Sequence, residues 1–76
     1  KVYPNPTSNF LTLSISHYTT ENFSFVVMGI DGRIISTGEI TGNETIISME
    51  SLASGQYLVN INSNSRLVKS FKVIKN

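Results

Sequence analysis

Apolar and polar residues alternate along this chain in short segments. Residues 10–16 read Phe-Leu-Thr-Leu-Ser-Ile-Ser, and a period of two places Leu11, Leu13 and Ile15 on one face of a strand. The same pattern predicts strands at residues 23–28, 33–37, 45–49, 56–61 and 67–75. The inward positions and one adjoining turn residue form the predicted core: Leu11, Leu13, Ile15, Phe25, Val27, Ile47, Met49, Leu52, Tyr57, Val59, Ile61, Phe71 and Val73.

Turn-forming residues separate these segments. Asp31 and Gly32 predict a type I′ hairpin, in which both residues have positive φ, and Gly55 is predicted to hold the turn before Tyr57. Pro4 and Pro6 exclude a helix at the start of the chain. Strands at this spacing, with turns between them, indicate an antiparallel β-sandwich.

Size and composition exclude several classes of function for this chain. The chain has 76 residues, no cysteine and a formal net charge of +1, which fits one small domain without disulfides or a Cys-based metal site. A net charge this small produces no strong positive potential that would attract nucleic acid. No apolar run is long enough to insert into a membrane. Because the chain begins with Lys1, we interpret it as a piece of a longer protein.

Residues with catalytic or metal-binding chemistry are few and scattered. His17 is the single histidine, and the acids Glu21, Asp31, Glu39, Glu44 and Glu50 show no ligand spacing. Two N-x-S/T triplets begin at Asn22 and Asn43, as chance predicts when Ser, Thr and Asn supply 26 of the 76 residues. We therefore expect no catalytic residue, no cofactor and no metal, and the residues alone indicate only an antiparallel β-domain.

Four segments in register carry a resemblance to a known family. Residues 2–7 (Val-Tyr-Pro-Asn-Pro-Thr), the hairpin at residues 25–33, residues 52–59 (Leu-Ala-Ser-Gly-Gln-Tyr-Leu-Val) and residues 69–75 (Lys-Ser-Phe-Lys-Val-Ile-Lys) resemble the type A C-terminal sorting domain. This domain directs cargo through the type IX, or Por, secretion system of Bacteroidetes. One position departs from the family pattern: Lys72 stands where the family is usually apolar.

The resemblance implies an all-β fold, an immunoglobulin-like antiparallel β-sandwich of about seven short strands. Residues 1–76 would form a single C-terminal sorting domain excised from a longer secreted protein. Its role would be that of a secretion signal rather than an enzyme, with passage through the periplasm to a secreted or cell-surface location. The implied partners are the translocon, its outer-membrane shuttle protein, a sortase and an N-terminal cargo protein, without nucleic acid.

Candidate recognition residues follow from the resembling segments. They are Tyr3, Pro4, Asn5, Pro6, Gly55, Tyr57, Lys69 and Lys75. The terminal strand is expected to leave Lys69, Lys75 and its backbone edge available for strand addition by a partner. Two alternatives are a carbohydrate-binding module and a structural spacer sandwich on a secreted enzyme. A bound sugar would favour the first, and an internal position in the parent chain would count against a sorting signal.

Overall fold

A computed structural model of the chain describes residues 1–4, 6–15, 22–64 and 66–76. These residues form strands and connecting turns, which confirms the all-β fold. In chain order the strands are β1 (Val2–Tyr3), β2 (Phe10–Ser14), β3 (Phe23–Gly29), β4 (Ile34–Ile40), β5 (Glu44–Ser48), β6 (Gly55–Ser63) and β7 (Arg66–Lys75). Across the described ranges, no helix has the length and apolar character needed to span a membrane.

Two antiparallel sheets face each other across one core. The smaller sheet has the order β1-β2-β5 and the larger sheet the order β4-β3-β6-β7. Short strands that alternate between two such sheets are the arrangement of an immunoglobulin-like sandwich. The edge strands of the larger sheet are β4 and β7, and the second of these carries the candidate recognition residues near the end of the chain.

The period-two pattern identified most of the core correctly. Nine of the predicted positions are buried, and Ile15, Leu52, Tyr57 and Phe71 are partly buried against them. The pattern missed Ile40, which is only 3% exposed, because the predicted strand ended at Thr37, whereas β4 continues through Gly38 to Ile40. The buried apolar set is Leu11, Leu13, Phe25, Val27, Ile40, Ile47, Met49, Val59, Ile61 and Val73.

The hairpin between β3 and β4 differs from the predicted type I′ turn. Gly32 has a φ of +88°, as expected, but Asp31 does not share a positive φ. The Gly32 N–H donates to the Gly29 carbonyl at 3.0 Å, and the Gly29 N–H donates to the Arg33 carbonyl at 2.9 Å. These bonds close a three-residue loop, residues 30–32, in which only the last residue has a left-handed conformation. Hairpin loops of this length usually have such a residue, which forms a β-bulge. The predicted turn type is therefore wrong, whereas the glycine requirement is correct.

Packing requires a glycine at position 38 of β4. It pairs with Phe25 of β3, and a Cβ added to it would lie 2.5 Å from the Phe25 ring. The aromatic ring therefore occupies the space that any side chain at position 38 would need. This close approach of ring and backbone fixes how the edge strand β4 sits on the sheet.

Candidate functional site

Three of the four resembling segments meet at one end of the sandwich. Thr7 comes from the first segment, Leu52 and Tyr57 come from the third, and Lys75 comes from the last. We call this group of four residues the motif junction. Distant parts of the sequence supply its members, so the strand pattern alone gave no indication that they would meet.

Thr7 ties the start of the chain to the end of β7. Its N–H donates to the Ile74 carbonyl at 2.9 Å, and its carbonyl accepts from the Asn76 N–H at 2.8 Å. The Thr7 side chain is 1% exposed, and its hydroxyl donates to the Phe10 carbonyl. Thr7 was not among the predicted site residues, although its position directly after Pro6, in the first resembling segment, was a signal. Thr7 covers the last residues of β7 on the side away from β6.

Lys75 is buried at the motif junction. Only 9% of the residue is exposed, and its ammonium group donates to the Leu52 carbonyl at 3.0 Å and to the Asn76 carbonyl at 3.5 Å. Because a buried ammonium group needs such partners, this side chain serves the loop before β6. The expectation that Lys75 is available to a partner is therefore wrong.

Gly55 and Tyr57 shape the same loop. The Tyr57 hydroxyl donates to the Ala53 carbonyl, four residues upstream, at 2.6 Å. A tyrosine at the start of this strand that binds the preceding loop is the tyrosine corner of immunoglobulin-like sandwiches. Gly55 has a φ of +152°, in a range that side chains rarely adopt. The position of both residues thus fits a structural role in the loop that Lys75 also holds.

The first half of β7 has a different character. Residues 66–70 are all exposed, and among them Leu67 is 60% and Val68 56% exposed. A bulge opposite Ile61 and Asn62 shifts the pairing with β6 at this point. The Lys69 ammonium group lies 5.4 Å from the centre of the Phe71 ring. Lys69 thus remains exposed at a sheet edge, as predicted, and Arg66 joins it as a second exposed cation that sequence analysis had not selected.

The remaining candidates lie on the smaller sheet and its approach. Pro4 and Pro6 are exposed, and the Tyr3–Pro4 peptide bond is cis. The Tyr3 hydroxyl donates to the Glu44 carboxylate at 3.0 Å, and this hydrogen bond raises the pKa of the Tyr3 phenol. Asn5 lies outside the described residues, so its predicted role in recognition stays a prediction. His17 and Glu21, for which no role was predicted, also lie outside them.

One further feature lies beside the exposed half of β7. An apolar cleft of about 230 Å³ opens between the sheets, and the residues that line it include Ile15, Phe23, Lys69 and Phe71. Within the described ranges, no three acidic or histidine side chains come together as a metal site would require. The candidate site that the described residues form is the exposed edge of β7 together with the contacts that hold its end in place.

Comparison with known proteins identifies the family to which the chain belongs. No curated protein matches the sequence. A family model described as the secretion system C-terminal sorting domain matches residues 1–76, so it includes every segment that builds the motif junction. The family implies a sorting role, export across the outer membrane, and a cargo protein that engages the secretion machinery. The chain therefore belongs to the family of secretion system C-terminal sorting domains, and it is a C-terminal secretion signal of the type IX secretion system.

Proposed function

We propose that the export machinery recognises this signal at the exposed half of β7, with Lys69 as the principal contact. The observation that carries the proposal is the exposure of residues 66–70 in a strand at the edge of its sheet. Edge strands present a row of backbone donors and acceptors, so an extended segment of a partner can join the sheet there.

Charge indicates the chemistry of that segment. Arg66, Lys69 and Lys72 all lie on β7 and are exposed, and the strand contains no acid. Two copies of β7 would bring like charges together, which disfavours self-pairing, whereas an acidic strand would be attracted. The partner segment is therefore extended and acidic. Lysines on an edge strand discourage aggregation through that edge. The same lysines still allow an acidic segment to pair with it.

The motif junction supports recognition indirectly. Thr7 holds the final residues of β7, and Gly55, Tyr57 and Lys75 hold the loop before β6. Tyr3, Pro4, Asn5 and Pro6 set the direction in which cargo leaves the domain. On this proposal the domain has no catalytic activity of its own. It passes through the periplasm with its N-terminal cargo and is read by the translocon and its shuttle protein. A sortase then acts on it where cargo is attached to the cell surface.

A charge reversal at Lys69 tests the proposal. Residues 1–76 are fused to the C-terminus of a periplasmic reporter in a cell with a working type IX system, and exported reporter is measured. We expect Lys69→Glu to reduce export at least fivefold, because an acidic partner strand is repelled. Arg33→Glu is the matched control, since Arg33 is also an exposed cation but lies in the β3–β4 hairpin, and it should change export less than twofold.

Two results would contradict the proposal. Retention of the unmodified fusion in the periplasm would show that the domain is not a sufficient signal. Equal export of Lys69→Glu and the unmodified fusion would place recognition away from this half of β7. Thermal unfolding of both purified variants shows whether they remain folded. Deletion of residues 72–76 is less informative, because it also removes the buried Val73 and Lys75.

A further inference from the structure

The outer face of the smaller sheet carries three large apolar side chains. Tyr3 is 37%, Phe10 51% and Ile46 61% exposed. Thr12 of β2 pairs with Tyr3 on one side and with Ile46 on the other. Phe10 lies two residues before Thr12, hence on the same face. These three side chains therefore surround Thr12 on a face that in antiparallel sandwiches is ordinarily polar. We call them the outer patch.

The outer patch is partly ordered before any partner arrives. The hydrogen bond from the Tyr3 hydroxyl to the Glu44 carboxylate restrains the ring, and the Lys1 ammonium group lies 5.6 Å from the centre of the same ring. An aromatic side chain that is already held loses little entropy on binding, and such residues supply much of the free energy at interfaces. Because the two charged groups beside the patch are of opposite sign, the surface that complements the patch is apolar and carries no net charge.

The size of this face argues against a second copy of the chain as its occupant. The sheet has three strands, of two, five and five residues. With strands ~4.8 Å apart and ~3.4 Å per residue, the face measures roughly 200 Å². A stable protein interface buries about 800 Å² on each partner. Pairing of two such faces would be too weak for a lasting dimer, whereas a brief contact needs no larger area.

We propose that the outer patch is a second contact with the outer-membrane export machinery, made to an apolar protein surface that carries no net charge and released after passage. This inference rests on the proposed function, in which the machinery reads the domain. It adds a surface on the opposite sheet from β7, so that two separate features of the fold are recognised together. A contact of this kind raises specificity without requiring a permanent complex.

Two isoleucines provide a matched test. Ile46 in the outer patch and Ile34 in β4 of the opposite sheet are both 61% exposed and both lie in strands. In the reporter fusion we expect Ile46→Asp to reduce export at least fivefold and Ile34→Asp to reduce it less than twofold. The milder pair Ile46→Thr and Ile34→Thr keeps a β-branched residue in each strand. It should show the same order if either aspartate variant fails to fold.

Each outcome decides the proposal. Equal export of the two variants in both pairs would overturn the outer patch while leaving recognition at β7 intact, provided that the unmodified fusion is exported. An unmodified fusion that stays in the periplasm would remove the proposed function and this inference together. Sedimentation of the purified domain would overturn the inference in another way, if it found a dimer that Ile46→Asp dissociates, because the patch would then bind a second copy.

Discussion

The two halves of β7 have similar residues but opposite surroundings. Lys69 is exposed over the Phe71 ring, whereas Lys75 is buried and donates to the Leu52 carbonyl. Val68 is 56% exposed, whereas Val73 is fully buried. The difference in burial arises from the neighbours of each half. Thr7 covers the outer edge at the end of the strand, whereas a bulge interrupts the pairing with β6 near its start. One strand can therefore close the fold at one end and present an edge at the other.

The valines should show the largest difference between the halves. We expect Val73→Ala to lower the free energy of unfolding by about 2 kcal/mol, because it leaves a cavity in the core. Val68→Ala should lower it by less than about 0.5 kcal/mol, as is usual for exposed positions. Urea denaturation of the two purified variants measures both values. Similar losses would mean that the first half of β7 is packed as closely as the second.

Substitution of the two lysines tests whether polar contacts also differ between the halves of β7. Lys75→Ala should cost about 1–2 kcal/mol, because it removes both a buried aliphatic stem and the donor to the Leu52 carbonyl. Lys69→Ala should leave the unfolding midpoint nearly unchanged. A Lys75→Met variant, which retains the stem, should recover part of the loss. If Lys69→Ala destabilised the domain as much as Lys75→Ala, the assignment of separate roles would be refuted.

The tyrosines should show the smallest difference. Tyr57→Phe removes the hydroxyl that donates to Ala53 in the loop of the motif junction, and we expect a loss of about 1 kcal/mol. Tyr3→Phe removes a hydroxyl bound to Glu44 at the surface, so the unfolding midpoint should not move measurably. The comparison fails if the order of the two variants is reversed.

The period-two pattern predicted the sandwich because burial of one face dictates where each side chain points. It placed Leu11, Leu13 and Val59 in the core without knowledge of strand pairing. It could not place Lys75, because a pattern of apolar residues does not show which carbonyl a buried ammonium group will meet. The resembling segments did select Gly55, Tyr57 and Lys75, but for recognition rather than for the loop that they hold.

Other differences have equally local causes. The Asp31-Gly32 pair suits several turns, and the choice among them depends on how β3 and β4 pair. The predicted strand ended at Thr37 because the reason for a glycine at position 38, the Phe25 ring that excludes a side chain there, lies on another strand. The exposed half of β7 was predictable from its charges, yet the role of Thr7 at the other half required the full topology.

The contact between Phe25 and Gly38 also determines which alignments of β4 are permitted. A slip by one residue would place Thr37 or Glu39 opposite Phe25 and would turn the buried Ile40 toward solvent. A slip by two residues would bring Ser36 or Ile40 into the space of the aromatic ring. Residues 23–40 therefore disfavour each misaligned hairpin by themselves, either through exposure of Ile40 or through a clash with the Phe25 ring. Correct folding of this edge therefore requires no template from the protein to which the signal is attached.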